Sequence, residues 1–157
     1  MARKLSAGIV LYRRRALALE VLLVHPGGPF WAHKDDGVWS IPKGEYQSGE
    51  DALEAARREF QEETGFPAQG HFIELPAVMQ PSGKQVSAWA LEGDLDPAQL
   101  RSNLFEMEWP ARSGQRRQFP EVDRGAWFAL EQARRKLVPG QVPLLDALAQ
   151  ALEQPPP

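Results

Sequence analysis

The sequence predicts a single α/β domain. The chain has 157 residues, of which 43% are hydrophobic, a length and composition typical of one compact domain with a real core. Short β-like runs stand before and after one strong helix, and two helical patterns end the chain, an alternation typical of α/β folds. We expect one site in one domain over residues 1–153, followed by a frayed proline-rich tail at residues 154–157.

Two apolar runs with β character begin the chain, at residues 5–12 and 19–25. The three arginines and few small residues between them suit a hairpin or a connecting loop. Residues 26–37 are rich in glycine and proline and carry two aromatic side chains, Phe30 and Trp31. This density of breaker residues predicts a loop. We interpret it as a candidate lid or specificity element.

The strongest helix signal covers residues 50–64. Gly65 follows the last periodic residue, and glycine is the usual residue at a helix C-terminus. Ser48 is the predicted N-cap. Glu50 and Asp51 would then place negative charge in the first turn, at the positive end of the helix dipole.

The segments after this helix predict further sheet and two closing helices. The β candidates lie at residues 72–79, 85–91, 105–109 and 126–128. The first two are joined by Pro-Ser-Gly-Lys, which is good turn chemistry, and are expected to form a hairpin. The last two flank a loop that contains arginines and glycine. Helical patterns at residues 130–137 and 142–152 end the domain.

Composition excludes several classes of site. A formal net charge of −3 lacks the strongly basic field that drives binding to polymeric nucleic acid, so such a partner is not favoured. The chain has no cysteine, which excludes a disulfide, a thiolate metal site and a catalytic thiol. The spacing of His25, His33 and His71 is not typical of a zinc-ligand pair. Any metal is therefore expected on oxygen ligands.

The sequence also predicts the cellular location. No segment approaches the roughly 18 apolar residues that indicate a membrane helix. The short apolar stretch near the N-terminus is followed at once by arginines, unlike the core of a signal peptide. We therefore expect a cytoplasmic protein without a membrane partner, whose oligomeric state the sequence leaves open.

Three glutamates on the predicted helix share one face, because Glu59, Glu62 and Glu63 stand at positions i, i+3 and i+4. The neighbouring arc is expected to be buried against the sheet and is formed by Ala52, Leu53, Ala56 and Phe60. Like charges this close repel one another and raise each other's proton affinity unless cations compensate. Oxygen clusters suit Mg²⁺ or Mn²⁺. Taken alone, the triplet is also consistent with a solvated acidic face.

The surroundings of the triplet favour the metal-binding interpretation. They resemble the Nudix box, whose pattern is Gly, five residues, Glu, seven residues, Arg-Glu, an apolar residue, any residue, Glu-Glu, any residue, Gly and an apolar residue. Every specified position is filled, by Gly44, Glu50, Arg58, Glu59, Phe60, Glu62, Glu63, Gly65 and Phe66. Average composition gives such a match about once in a billion starting points. The resemblance implies a Nudix-type α/β/α sandwich around a mixed β-sheet.

The resemblance also implies roles for the residues of the box. Glu59, Glu62 and Glu63 would hold divalent cations, with Mg²⁺ as the expected ion and Mn²⁺ as an alternative. Glu62 or Glu63 would also help to activate water. Arg58 would position the carboxylates, and Glu50 would secure the geometry between loop and helix or join the metal shell.

Further candidates stand beside the box and beyond it. Gly44 resembles the family position whose backbone approaches the metal, a role for which its missing side chain gives a physical reason. Lys43 is a candidate for neutralising substrate phosphate, with a solvated lysine as the alternative. In this family a further acidic residue often completes the site. Glu121 is our candidate, because it sits in a loop shortly before a predicted strand, and Glu106 and Glu108 are its rivals.

Two residues are candidates for contacts with the substrate. Trp39 precedes the Pro-Lys-Gly turn and offers an aromatic ring for stacking on a nucleobase, with packing under the loop as the alternative. Arg116 lies with Arg112 and Arg117 in the loop before Glu121, and guanidinium groups suit phosphate oxygens. The alternative is a solvated loop.

The implied reaction is metal-dependent hydrolysis of a diphosphate linkage in a nucleoside diphosphate joined to another group. Nucleoside triphosphates, dinucleoside polyphosphates, nucleotide sugars and capped RNA ends remain open as substrates. The Trp-x-x-Pro-Lys-Gly run at residues 39–44 resembles members that act on dinucleoside polyphosphates or inositol diphosphates, which favours a polyphosphate. The alternative is a non-catalytic Nudix domain that binds a nucleotide and regulates or scaffolds a partner. Such domains usually lose residues of the box, and none is lost here.

Overall fold

The computed structural model describes residues 4–16 and 18–153, so the predicted tail at residues 154–157 lies outside the described residues. The strands are β1 (Leu5–Arg15), β2 (Ala18–Pro26), β3 (Lys43–Glu45), β4 (Phe72–Met79), β5 (Gln85–Glu92), β6 (Leu104–Glu108), β7 (Arg116–Pro120) and β8 (Val122–Ala129). The α-helices of the described residues are α1 (Ala52–Thr64), α2 (Leu130–Lys136) and α3 (Pro143–Glu153). None of these helices is long and apolar enough to cross a membrane.

A mixed sheet forms the centre of the molecule, in the order β4-β5-β1-β2-β8, with β3 paired to the beginning of β1. β1 and β5 run parallel, and the other neighbours are antiparallel. Side chains alternate along β1, so Ile9 packs in the apolar cluster under α1, whereas Val10 packs in the cluster that contains residues of α2 and α3. Helices therefore cover both faces, and the expected α/β/α sandwich is confirmed.

The three arginines after the first predicted strand belong to β1, which is longer than expected. Arg13, Arg14 and Arg15 pair with β2 in an antiparallel hairpin, which is the first of the two alternatives that the sequence left open. Arg13 is also bound by Glu20 at 2.9 Å and Asp94 at 2.8 Å. These ion pairs explain how a strongly charged segment continues the strand.

The N-terminus of α1 differs from the prediction. Asp51, not Ser48, is the N-cap, and its carboxylate accepts a hydrogen bond from the backbone N–H of Glu54 at 3.0 Å. Glu50 lies before the helix, where its carboxylate accepts from the backbone N–H of Gln47 at 3.0 Å. The predicted capping by Ser48 and the placement of Glu50 and Asp51 in the first turn are therefore wrong, because a turn over residues 47–50 precedes the helix and Asp51 is its cap.

The C-terminus and the buried face of α1 largely follow the prediction. Gly65 ends the helix in the left-handed conformation at φ 82°, and its N–H donates to the carbonyl of Gln61. Ala56 and Phe60 are buried as expected. Ala52 and Leu53 are only half-buried, and the buried face is completed by Ala55 and Thr64. The helix is thus rotated slightly from the predicted orientation.

The loop predicted around the arginines forms a hairpin instead. β6 and β7 pair with each other outside the main sheet, and we call residues 104–120 the arm. The backbone N–H of Trp109 donates to the carbonyl of Gln115 at 2.9 Å and begins the turn. Arg116 and Arg117 are therefore on a strand. The sequence did not predict β7 because a largely exposed ribbon needs no continuous apolar pattern.

Candidate active site

The acidic face of α1 lies beside β3. Glu59, Glu62 and Glu63 come from this helix, and Lys43 and Gly44 come from the short strand. β3 is held in place by pairing Lys43 with Gly8 and Gly44 with Ala7 of β1. The central sheet therefore fixes the glycine turn of the box against the carboxylates of the box.

Gly44 and Glu59 are in direct contact. A Cβ atom built on Gly44 would overlap the carboxylate of Glu59 and would come within 2.7 Å of its Cγ. Only a residue without a side chain lets this carboxylate lie against the backbone. The contact explains why the pattern requires glycine here.

Arg58 bridges two carboxylates of the box. Its Nη1 donates to Glu50 Oε2 at 2.6 Å and its Nη2 to Glu59 Oε1 at 3.3 Å. Burial raises the pKa of Glu59, and nearby Glu62 raises it further, while Arg58 opposes both effects. The guanidinium thus restrains Glu59 without neutralising the whole cluster.

Glu63 is the most strongly perturbed carboxyl group of the cluster. Burial raises its pKa to about 8, although the charge of Lys43 opposes the shift. The backbone N–H of Lys43 donates to Glu63 Oε1 at 3.3 Å. Burial also lowers the pKa of Lys43, with Lys84 adding to the effect. An acid and a base therefore face each other, each with its charged form disfavoured by burial.

Glu121 joins this cluster from a distant part of the sequence. It lies in the bend between β7 and β8, as the sequence predicted. Its backbone is fixed on both sides, because its N–H donates to Asn103 at 2.8 Å and its carbonyl accepts from Gly27 at 2.9 Å. Burial raises the pKa of Glu121, and Glu62 raises it further. Glu121, Lys43 and Glu63 line one cavity of about 170 Å³.

The two rival glutamates lie on the arm and do not join the cluster. Glu106 is bound to Arg116 at 2.5 Å, and Glu108 accepts a hydrogen bond from the backbone N–H of Arg112 at 2.6 Å. Both side chains are exposed. Of the three acidic candidates, only Glu121 reaches the carboxylates of α1.

The donor set fits a hard divalent cation, since carboxylate oxygens and a close backbone are the ligands that Mg²⁺ and Mn²⁺ favour. Within residues 4–16 and 18–153, no three His, Cys, Asp or Glu side chains form a ready-made metal site. Neighbouring carboxylates repel one another and tend to stand apart until a cation draws them together. The contact between Gly44 and Glu59 is the observation that supports the fit.

Trp39 is not available for stacking on a nucleobase, so that prediction is wrong. Its side chain is 4% exposed, and its ring contacts those of His25 and Phe128 edge-on, at 5.1 and 5.0 Å between centroids. Its Nε1 donates to Asp35 at 2.8 Å. The adjacent Ser40 lines the cavity, whereas Trp39 packs in the cluster with α2 and α3. The structure thus has the alternative, in which Trp39 packs under the loop.

Arg116 is not brought to the carboxylate cluster either. It is exposed on the arm and paired with Glu106. Five residues of extended chain separate it from Glu121, which corresponds to about 16 Å along the strand. The predicted contact between this arginine and the phosphate at the cluster is therefore not supported, because Arg116 lies on a strand of the arm and not in a loop beside Glu121.

His25 is a buried polar residue beside the site that the sequence pattern did not indicate. Its ring is fully buried on β2, with Nδ1 2.9 Å from Asp123 Oδ1 and Nε2 2.6 Å from the carbonyl of Lys34. It thereby joins residues 26–37 to β8, because Asp123 lies on that strand, two residues after Glu121. The sequence does contain a signal for this role, which is a single histidine at the end of an apolar strand. A polar group buried there needs hydrogen-bond partners from other segments.

Residues 26–37, which we call the aromatic loop, are anchored at their second half. Lys136 binds Asp35 at 2.7 Å and Asp36 at 3.0 Å. The N–H of Gly37 donates to the carbonyl of Arg135 at 2.9 Å. These contacts with α2 favour a fixed wall over a lid that opens freely.

A comparison with known families agrees with the box and its surroundings. The NUDIX domain model matches residues 2–148 of the chain. The chain belongs to the Nudix family. Members of this family generally use divalent metal ions.

Individual relatives include Nudix hydrolases from animals and a bacterial Nudix domain. The chain is 33% identical over 101 residues to the asymmetrical bis(5'-nucleosyl)-tetraphosphatase of Rattus norvegicus, over 55% of this chain and 63% of the rat protein. The crystal structure of a C. elegans Ap4A hydrolase binary complex has a TM-score of 0.65 at 24% identity, covering 95% of this chain and 97% of that one. The NUDIX domain of Shewanella oneidensis NrtR, complexed with ADP ribose, has a TM-score of 0.68 at 17% identity, covering 97% and 90%.

The two kinds of relative carry different weight. The chain spans less than two thirds of the length of the rat protein. The solved structures are less than 25% identical to this chain in sequence, so their similarity shows the shared fold.

Proposed function

We propose that this Nudix protein is a pyrophosphohydrolase, which uses water to cleave a diphosphate linkage in a nucleoside diphosphate joined to another group. One observation carries the proposal. The carboxylate of Glu59 lies against the backbone of Gly44, while Glu63 and Glu121 share a cavity with Lys43. Carboxylates that can bind a metal ion, together with the amino group of a lysine at the same cavity, suit a phosphate-containing substrate.

In this proposal, Glu59, Glu62 and Glu63 hold the divalent cation, Mg²⁺ or Mn²⁺, with the backbone of Gly44 beside them. When bound, the cation would neutralise the charge of the diphosphate and activate water. Arg58 keeps Glu59 in place through its hydrogen bond.

The remaining groups of the cavity act on protons and phosphate charge. Glu121 lies beside the box carboxylates, and its pKa is raised by burial. A carboxylate with a raised pKa is a better proton acceptor at neutral pH, which suits the role of a general base. Glu62 and Glu63 are alternative bases. Lys43 would neutralise a phosphate oxygen of the substrate.

A dinucleoside polyphosphate is the substrate class that we place first, ahead of a nucleoside triphosphate. The rat relative is named as a bis(5'-nucleosyl)-tetraphosphatase and the nematode neighbour as an Ap4A hydrolase. The Trp-x-x-Pro-Lys-Gly run at residues 39–44 points the same way. The substrate is then a small nucleotide, and we propose the cytoplasm as the place of action.

A substrate panel tests the reaction. Nucleoside triphosphates, dinucleoside polyphosphates, nucleotide sugars and ADP-ribose would be incubated with Mg²⁺ or Mn²⁺, and products identified by mass after reaction in ¹⁸O-labelled water. We expect cleavage at a diphosphate linkage, fastest with a dinucleoside polyphosphate, and the label would identify the attacked phosphorus. The double substitution Glu62→Gln with Glu63→Gln should reduce kcat by about 100-fold or more. Glu54→Gln, an exposed glutamate on the same helix, is the matched control.

The role of Glu121 needs its own comparison. We expect Glu121→Gln to lower kcat by about 100-fold or more, whereas Glu106→Gln and Glu108→Gln on the arm should leave kcat within about twofold. Circular dichroism of each variant would confirm an intact fold. A full kcat in Glu121→Gln would remove this residue from the proposed machinery.

The competing function is nucleotide binding without turnover. It predicts that the native chain binds a member of the panel but releases no product with either metal. It also predicts that the double substitution in the box changes nucleotide binding, while product release stays absent as in the native chain. The complete set of box residues favours the hydrolase.

A further inference from the structure

The arm and the aromatic loop pack together beside the cavity. A Cβ atom on Gly27 would overlap the backbone carbonyl of Pro120, and one on Gly28 would lie 2.9 Å from Cζ of Phe105. Gly28 also has φ +94°, a conformation that side chains rarely adopt. The two glycines let the loop lie directly on the arm, so the two segments form one continuous wall.

An aromatic surface stands at the outer end of this wall. The ring of Phe30, from the loop, meets that of Trp109, from the arm, edge-on at 5.6 Å between centroids. Phe30 is 63% exposed and the neighbouring Trp31 is 40% exposed. Isolated exposed apolar residues are ordinary. A paired set held by two separate elements is a prepared surface for another aromatic ring.

Positive charge lies between this surface and the cavity. Alternation along β7 places Arg117 and Phe119 on one side of the strand, and Glu121 follows two residues later. Arg116, on the opposite side, is neutralised by Glu106. Arg117 is exposed, and no ion pair with it is found among the described residues. A free guanidinium here can bind a phosphate oxygen.

We propose that the arm and the aromatic loop form a subsite for the nucleobase end of the substrate. Because the rings of Phe30 and Trp109 are nearly perpendicular, at 77°, the base would stack on the face of one ring and contact the other with its edge. Arg117 would contact a phosphate between the base and the cavity. Aromatic faces bind bases of any sequence because every base has a π-face. This inference rests on the proposed function, and it deepens that function by assigning the part of the substrate that lies beyond the cleaved linkage.

The length of the wall favours a long substrate. Six residues of extended chain separate Gln115, opposite Trp109, from Glu121, which is about 20 Å along the strand. If a base stacks at the outer end, a sugar and several phosphate groups must lie between it and the linkage that is cleaved at the carboxylates. A dinucleoside polyphosphate meets that need better than a nucleoside triphosphate whose base lies near the attacked phosphorus.

Binding without turnover tests the subsite. Adenosine, guanosine, cytidine and uridine diphosphates would be compared with ribose 5-diphosphate by isothermal titration without divalent cation. The native chain should bind at least one nucleoside diphosphate about fivefold or more tightly than ribose 5-diphosphate. Phe30→Ala combined with Trp109→Ala should reduce this ratio to about one. Phe30→Tyr alone, which keeps an aromatic face, should preserve it.

Matched variants control for nonspecific effects. Met79→Ala removes an apolar side chain that is 49% exposed on β4, away from the wall, and should leave the ratio unchanged. Arg117→Ala should weaken the base-containing and base-free ligands equally, because it removes a phosphate contact, and Arg14→Ala on β1 should weaken neither. Melting temperatures would verify the fold of each variant.

The outcomes separate this inference from the proposed function. Equal binding of all ligands by the native chain, or an unchanged ratio in the double variant, overturns the subsite even if hydrolysis is observed. Base-dependent binding that is lost in the double variant supports the subsite even if no substrate is hydrolysed. If sedimentation shows a native dimer that Phe30→Ala dissociates, with no change in the ratio, the aromatic surface is an interface between copies and the subsite is refuted.

Discussion

The carboxylate of Glu59 occupies the space where a side chain on Gly44 would begin. The same carboxylate accepts a hydrogen bond from Arg58, which also holds Glu50. A single absent side chain therefore determines where one proposed metal ligand stands, and an arginine restrains it from the other side. At the scale of the residue, the site depends on such contacts between groups that the sequence places several residues apart.

Gly44→Ala tests this contact. The new methyl group must displace the flexible end of Glu59, so we expect kcat/KM to fall about 10- to 100-fold, as for supporting residues of metal sites. The melting temperature should change little, because a side-chain end moves and not the backbone. Gly93→Ala is the control, since its Cβ would meet only the Leu11 side chain at 3.1 Å. Equal activity of both variants would show that the position of Glu59 is unimportant.

Glu63 predicts a pH dependence of stability. Its pKa is raised from 4.5 to about 8 by burial, so between these values the folded protein holds a proton that the unfolded chain releases. The free energy of unfolding should therefore fall as pH rises from about 4.5 to about 8. Glu63→Gln does not titrate and should be more stable than the native chain at pH 8, without added metal, but similar at pH 4.

Urea unfolding at several pH values measures this effect. Glu54→Gln, which changes an exposed carboxylate on the same helix, should keep the native pH profile. Parallel profiles for the native chain and Glu63→Gln would contradict the predicted ionisation. Added Mg²⁺ should stabilise the native chain at pH 8 more than it stabilises Glu63→Gln, because a ligand that binds the folded state raises its stability.

At the scale of the element, α1 and β3 function together. α1 supplies the carboxylates, and β3, paired with β1, supplies the glycine against which they pack. The start of α1 is set by Asp51, whose carboxylate satisfies the N–H of Glu54. The turn before it places Glu50 within reach of Arg58. The cap thus fixes both the helix and one partner of its arginine.

Asp51→Ala should destabilise the protein by about 1 kcal/mol, because it removes the hydrogen bond to an unsatisfied backbone donor of the helix. Ser48→Ala should change stability by less than about 0.5 kcal/mol, as is usual for surface positions. The free energies of unfolding would be compared by urea denaturation. A larger effect of Ser48→Ala would favour the cap that the sequence suggested.

At the scale of the whole molecule, His25 connects three parts of the fold. Its ring lies on β2 in the central sheet, bound to Asp123 of β8 and to the carbonyl of Lys34 in the aromatic loop. Lys136 of α2 holds the same loop through Asp35. The wall beside the cavity is therefore attached to the sheet and to a helix.

His25→Leu should lower the free energy of unfolding by about 1–3 kcal/mol, because it leaves a carboxylate and a carbonyl without their partner. Amide hydrogen exchange should also accelerate in residues 28–37, since the loop loses an anchor. His71→Leu, at an exposed position, is the control for both measurements. Unaltered exchange in the loop would show that its contacts with α2 are sufficient.

The sequence by itself determined the family resemblance, the α/β class and the acidic face of α1. These features are local: the spacing of Glu59, Glu62 and Glu63 on a helix fixes a shared face wherever the helix packs. The order of apolar runs likewise predicts strands and helices, including the hairpin of β4 and β5. Glu121 was selected from its place in a loop, and the fold then brought it to the cluster.

Only the tertiary structure decided which side each remaining candidate faces. Trp39 stands one residue from the cavity-lining Ser40, yet it packs under α2 and α3, because neighbouring extended residues point in opposite directions. The pattern at residues 105–109 predicted β6, but β7 was not predicted, and without it the positions of Arg116 and Arg117 could not be predicted either. Contacts between segments far apart in the chain depend on how sheets and loops pack, which no local pattern contains.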